Sequence, residues 1–283
     1  MKSPLTVLNC KAEILSCNKK GDGTHRVLKI TDNGAPLVLK CYGRTRSRLE
    51  YVLKLCGIRL LVGKTSTSAR GRMATERSVL GLLSREGVSA PKILSWNKSD
   101  TIRQPFLALE WIAGTTLAEI VRSPQYSLNA KKDLLFRCGT EMRERHDRAI
   151  RLREPRLVFE HPSLHHVIVS NGRLVHTDFE IAYCRKNDIE RLARREIAGF
   201  LYSLARAHWP LFPPLFTAFT EGYRHPRRLN LMLAELRRYG TIPVAGWLTR
   251  LPFIFRIKRR HRRIAAAART VQIPQSAHLE QVS

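Results

Sequence analysis

The sequence predicts an α+β chain of two unequal lobes, a small antiparallel-sheet lobe carrying one helix and then a larger, mainly helical lobe. Three observations carry this. Short apolar runs alternate with turn formers through the first forty residues, one amphipathic helix follows, and beyond Ala113-Gly114 the helical period dominates. A chain of 283 residues with 43% apolar content has enough material for a core in each lobe.

The runs CKAEILSC, HRVLKI and LVLKCY are separated by NKKGDGT and TDNGAP, so three antiparallel strands are expected first. A basic insert at about 43–72 follows, with Glu50 its only acid. A helix is expected from near Arg72. On it Glu76, Val79, Leu80 and Leu83 fall at i, i+3, i+4 and i+7, which sets one carboxylate at the head of a core-facing stripe, and Gly87 ends it. Pro91 opens an extended PKILSW, and FLALEW, Phe106 to Trp111, is a further strand, completing a five-strand, one-helix lobe over 1–112.

In the second lobe, 113–222, helices are expected at TTLAEIVRS, from about Ser127 to His146 with Ser127 and Asn129 as N-cap candidates, and from about Ile189 to Ala207. Short strands are expected at RLVFE, HHVIV and RLVHTDF, the last two joined by a turn at Ser170-Asn171-Gly172. Residues 223–283 read as a basic, partly amphipathic extension.

Fifty Lys and Arg against 23 Asp and Glu give a net charge of +27, which calls for an anionic partner: nucleic acid, an anionic leaflet or a phosphorylated substrate. Between Tyr223 and Thr270 there are 13 Lys or Arg and one acid, Glu235. There, Trp247, Leu248, Leu251, Phe253, Ile254 and Phe255 adjoin Arg250, Arg256, Lys258, Arg259 and Arg260, the composition of a segment that inserts apolar side chains beside anionic headgroups. Nucleic acid is disfavoured, because aromatic content is 7% and the main cluster forms a hydrophobic wedge, not a stacking face. The cysteines at 10, 17, 41, 56, 138 and 184 include no C-x-x-C pair, which fits a reducing compartment. No apolar run approaches the length of a membrane span, and MKSPLTVLNCKAEI lacks the core of a secretion signal, so a chain neither secreted nor membrane-spanning is expected.

Four features then occur in order: the GDGT turn with Gly21 and Gly23, Lys40 on the third strand, Glu76 in the helix, and Asp178 of TDFE just after a late strand. A triphosphate needs a backbone-lined turn over it, a Lys on its inner phosphates, a carboxylate to hold that Lys and an Asp to hold magnesium. This is the order of a bilobal protein-kinase-like phosphotransferase, with ATP and Mg2+ as cofactors. Glu110, in the stretch ALEWIAGTTL where the lobes hinge, joins Gly21, Gly23, Lys40 and Glu76 as a nucleotide-binding candidate. Singly these signals are weak, since a strand Lys usually faces solvent and GDGT is usually an ordinary hairpin turn. VGKTST, Val62 to Thr67, is not a phosphate-binding P-loop, because five residues, where that loop has four, separate Gly57 from Gly63. His146-Asp147 has no companion metal cluster, and His146 is expected to close its helix, where a positive charge suits the C-terminus.

ERSVLGLLSREGVSAPKILSW, Glu76 to Trp96, resembles the corresponding region of bacterial lipopolysaccharide core kinases, the heptose and Kdo kinases. The basic insert between Lys40 and Glu76 and the stretch ALEWIAGTTL are similar to theirs, and the resemblance covers about residues 10–208. It implies ATP with magnesium, phosphate transfer to a sugar hydroxyl of the lipopolysaccharide inner core by a cytoplasmic protein peripheral on the inner membrane, and lipopolysaccharide core or a similar anionic glycolipid as partner.

The catalytic loop departs from the pattern. Kinases place a base Asp and, five residues on, a metal-binding Asn; the family resembled often has His in the second place. Counting back about a dozen residues from Asp178 puts His166 there and His161 at the base position, while aligning EHPSL with the H-G-D-L of small-molecule kinases puts Ser163 at the base. A neutral imidazole accepts protons near pH 7, so His161 is a candidate base and His166 a candidate metal or phosphate ligand. The missing carboxylate also admits a pseudokinase without turnover. A soluble small-molecule kinase of the aminoglycoside phosphotransferase type would share the core but leave the cationic tail unexplained.

Overall fold

Apolar alternation at the start of the chain builds a five-stranded antiparallel sheet in the order β1 to β5: β1 Leu5–Val7, β2 Cys10–Cys17, β3 Arg26–Asp32, β4 Ala35–Cys41 and β5 Phe106–Glu110. The computed structural model describes residues 5–7, 10–17, 25–43, 63–65, 68–96, 102, 104–186 and 188–241. Gly21 and Gly23, most of the basic insert and the wedge around Trp247 to Arg260 lie outside the described residues. Leu28 and Ile30 of β3 and Leu37, Leu39 and Cys41 of β4 share one buried face with Ala108 and Trp96. The period of two then turns Lys40 to the opposite face from Leu39.

The strand count matches the sequence reading, but the membership differs. β1 is an addition, since three residues are too few to show a period. PKILSW is not a strand: Ile93 makes an isolated bridge with Leu109, and pairing stops after Leu94 N–H donates to Ala108 O and Glu110 N–H to Lys92 O. Pro91 has no N–H with which to extend that ladder. The β3–β4 turn runs through Asn33 (φ 50°) and Gly34 (φ 82°), both left-handed as a two-residue hairpin of the I′ type requires. Asn171 and Gly172 repeat this (φ 48° and 73°) between β7 Val167–Ser170 and β8 Arg173–His176, at the predicted turn.

Helix α1, Ala69–Arg85, starts three residues before the expected Arg72 because Ser68 caps it, its Oγ accepting from Gly71 N–H at 2.9 Å. Glu76, Val79, Leu80 and Leu83 are all buried, and Gly87 leaves the helix at φ 68°. The RLVFE segment is a 3-10 turn at Pro155–Leu157 and not a strand; Pro155 fixes its φ and offers no N–H, and Phe159 alone bridges Ala182.

The chain divides into two compact units. Unit one comprises the described residues up to Gly114 together with Pro155–Glu160 and Ile168–Arg185. Unit two is mainly helical. After the two-residue β6, Thr115–Thr116, it contains α2 Leu117–Arg122, α3 Leu128–Arg151, α4 Ile189–Ala207, α5 Phe212–Tyr223 and α6 Pro226–Thr241. Thr116 and Glu119 form a reciprocal capping box on α2, and Ser127 caps α3 with Asn129 inside the helix. α6 falls within the expected basic extension. Its Arg228 is buried against Glu190, Asp147 and Tyr223. Among the described residues no helix is long and apolar enough to cross a membrane.

α3 and α5 approach backbone to backbone. A Cβ on Gly222 would lie 1.9 Å from the Phe136 carbonyl oxygen, so only glycine fits there. Behind this contact lies a buried ionic node. His146 does not close α3, which runs five residues further; its ring is fully buried, with Nε2 on Glu196 at 3.0 Å and Nδ1 on the Tyr223 hydroxyl at 2.9 Å. Burial holds His146 below the usual imidazole range, so it contributes hydrogen bonds and no helix-end charge. Burial alone would raise the Glu196 carboxyl, but the Arg145 guanidinium beside it outweighs this and holds it at about 2. A carboxyl lowered in the folded state stabilises above its unfolded value near 4.5 and loses that contribution as pH falls toward 2. Thermal melts from pH 6 to pH 2 are therefore expected to show a loss of about 3 kcal/mol in this window, absent in Glu196→Gln.

Candidate functional site

Lys40 is 6% exposed, and an ammonium so buried costs several kcal/mol unless it is paired. Three carboxylates supply the pairing. Its Nζ lies 2.9 Å from Glu76, 2.8 Å from Asp178 and 3.0 Å from Glu180. Burial pulls the ammonium toward neutrality, but Glu76, Asp178 and Glu180 together hold it well above the usual lysine range. Lys40 therefore stays charged.

Each partner is placed by its own element. Glu76 sits on the buried stripe of α1, one turn before Leu80 and at 2% exposure. It accepts from the Tyr42 hydroxyl as well as from Lys40, and burial, opposed by both donors, raises its carboxyl. Asp178 follows β8 with φ 70°, a left-handed conformation that Asp tolerates better than most residues. Phe179 anchors this turn, 5% exposed with its ring centroid 5.0 Å from that of Phe159, while Glu76 accepts from the Phe179 N–H at 3.4 Å. The Asp178 side chain keeps 35% exposure, so it holds Lys40 and also meets solvent.

The residues that sequence reasoning missed are Glu180, Arg72, His25 and Tyr42. Glu180 Oε1 meets Lys40 and His25 Nε2 (3.3 Å), and its Oε2 accepts from Arg72 Nη1 at 2.6 Å. Arg72 also donates to the Gly43 carbonyl. Burial keeps His25 below the usual imidazole range, with Glu180 opposing. One signal was available: Arg72 and Glu76 are four apart on one helix, hence on one face.

The structure thus brings Lys40, Glu76 and Asp178 together. It does not bring Glu110 to them, since its carboxylate accepts from Lys92 N–H at 3.2 Å at the far end of β5. Lys64 of VGKTST is ion-paired with Glu160 and bridges Tyr183. His161, Ser163 and His166 belong to unit two. There His166 Nδ1 lies 3.0 Å from the His161 carbonyl oxygen, and Ser163 Oγ caps a short 3-10 turn at His165 N–H and contacts Ser203 Oγ.

Among the described residues no group of three or more His, Cys, Asp or Glu side chains is arranged to hold a metal ion. Magnesium bound with a nucleotide needs less, one or two carboxylates plus phosphate oxygens. Asp178, a hard oxygen donor whose side chain keeps 35% exposure, fits that requirement.

The fold is protein-kinase-like: a small antiparallel sheet with one helix, a larger mainly helical unit, and a strand Lys joined to a helix Glu and a post-strand Asp. No protein-family model and no curated protein matches the chain. Among solved structures it is similar to WaaP in complex with acyl carrier protein, at 13% identity and a TM-score of 0.49, over 90% of this chain and 89% of that one. It is also similar to an apo pseudokinase, at 12% identity and a TM-score of 0.42 over 90% and 91% of the two chains. A third is assigned as an aminoglycoside phosphotransferase from Ralstonia eutropha, at 10% identity and a TM-score of 0.36 over 93% of each chain.

Proposed function

We propose that the chain is a magnesium-dependent kinase that transfers the γ-phosphoryl group of ATP to a sugar hydroxyl of the lipopolysaccharide inner core, or of a similar anionic glycolipid, at the cytoplasmic membrane face. The observation that carries this reading is the buried Lys40 ammonium held by Glu76 at 2.9 Å and Asp178 at 2.8 Å, from residues far apart in sequence. Lys40 neutralises the inner phosphates of the nucleotide. Glu76, backed by Tyr42, fixes the ammonium in place before phosphate arrives. Asp178 is the residue to hold magnesium, with His166 assisting metal or phosphate. When bound, the ion offsets charge on the phosphate oxygens.

Gly21, Gly23 and Glu110 are assigned to nucleotide binding. His161 takes the acceptor hydroxyl's proton on a ring nitrogen. That replaces the usual carboxylate, and it suffices because most of the acceleration in phosphoryl transfer comes from positioning and charge. The basic segments at 43–72 and beyond 223 draw the protein to an anionic leaflet and steer an acidic acceptor.

The test is transfer of labelled phosphate from ATP by the purified protein, with lipopolysaccharide core and, separately, an aminoglycoside as acceptor. Labelled core supports the proposal. Labelled aminoglycoside alone makes the chain a small-molecule kinase, and nucleotide binding without transfer makes it a pseudokinase. Replacing Arg256, Lys258, Arg259 and Arg260 with Gln is expected to abolish sedimentation with anionic vesicles; unchanged sedimentation removes the membrane role.

A further inference from the structure

Glu180 is met by three nitrogen donors from three separate parts of unit one. Lys40 Nζ of β4 lies at 3.0 Å, Arg72 Nη1 of α1 at 2.6 Å, and Nε2 of His25, the residue before β3, at 3.3 Å. Ammonium and guanidinium groups make the same kind of charge-assisted bond to phosphate oxygens as to carboxylate oxygens. Two further buried polar atoms on this cluster, Arg72 Nε and His25 Nδ1, have no hydrogen-bond partner among the described residues. Buried polar atoms are rarely left so, and a spare donor beside an occupied carboxylate points to a larger anion. A carboxylate offers two oxygens; a phosphate group offers a third, for which Arg72 Nε is available.

The charges agree. Lys40 and Arg72 are surrounded by Glu76, Asp178 and Glu180, two cationic groups among three anionic ones. With Asp178 committed to a metal ion, there is room for the negative charge of phosphate only if Glu180 withdraws. The location agrees as well: Arg72 is one helical turn from Glu76, and Glu180 is two residues from Asp178.

We propose that Lys40, Arg72 and His25 form a phosphate-binding pocket that the Glu180 carboxylate occupies when no nucleotide is bound. Arg72 and His25 are then ligand-binding residues beside Lys40, and Glu180 is an internal competitor that nucleotide displaces. This rests on the reading of unit one as a nucleotide site.

The experiment is calorimetric titration of wild-type protein, Glu180→Gln and Glu180→Asp with inorganic tripolyphosphate and with Mg-ATP, alongside thermal melts. Gln removes the competing charge but keeps an oxygen for Arg72. Binding of both ligands is expected to tighten about tenfold, equivalent to about 1.4 kcal/mol. Asp keeps the charge but draws it back by one methylene, so a smaller tightening is expected, and this variant decides the matter if Gln fails to fold. Wild-type protein that binds Mg-ATP, with both variants no tighter or weaker, overturns the pocket and leaves the nucleotide site standing. Absence of binding by all three proteins overturns both.

Discussion

Asp178→Asn is expected to lower magnesium-dependent phosphoryl transfer by about 10³-fold while leaving the melting temperature nearly unchanged. The two halves of this expectation have separate causes. Asn tolerates the left-handed backbone at φ 70° as well as Asp does, so the turn that carries residue 178 survives. Lys40 keeps Glu76 and Glu180 as counter-ions, and the side-chain volume is unchanged. What disappears is the anionic oxygen proposed to bind magnesium. Turnover with ATP and a melt on the same preparation check both halves, and transfer within tenfold of wild type would remove Asp178 from the metal site.

Lys40→Met is expected to have the opposite profile, with folding lost together with activity. Removing the ammonium leaves Glu76, at 2% exposure, facing Asp178 and Glu180 with no cation from β4, and breaking a buried pair from one side costs about 3–5 kcal/mol. Denaturant titration measures this directly. Because burial raises the Glu76 carboxyl in the folded protein, its protonated form favours folding below the unfolded value of 4.5, and that help is lost as pH rises through the folded value. The stability gap between Lys40→Met and wild type should therefore be wider at pH 8 than at pH 5. Adding Glu76→Gln to Lys40→Met is expected to restore much of the stability and none of the activity. A Lys40→Met protein as stable as wild type at pH 8 would show that the three carboxylates do not depend on Lys40.

Much of this arrangement was legible in the sequence because its signals are local or ordinal. The Asn-Gly turns at 33–34 and 171–172 announce left-handed backbone, α4 begins and ends where its period does, and the order of Lys40, Glu76 and Asp178 was enough to propose their union. Partner choice among charges was not legible. Arg72 read as one more member of a basic run, yet it is buried and paired with Glu180, 108 residues away. His146 read as a helix-end charge, yet Glu196, fifty residues on, makes it part of a buried node. Periodicity says which face a side chain takes and nothing about which distant residue will meet it there. The same holds for strand edges: PKILSW has the composition of a strand, and whether it pairs depends on what β5 leaves available and on the N–H that Pro91 lacks.

The most direct test of the central claim, that unit one is a magnesium-dependent nucleotide site built on Lys40, Glu76 and Asp178, is calorimetric titration of the wild-type protein with ATP in the presence and absence of magnesium. Saturable binding is expected that strengthens at least tenfold with magnesium and loses that dependence in Asp178→Asn. Binding that is the same with and without the ion, or no binding at all, would contradict it.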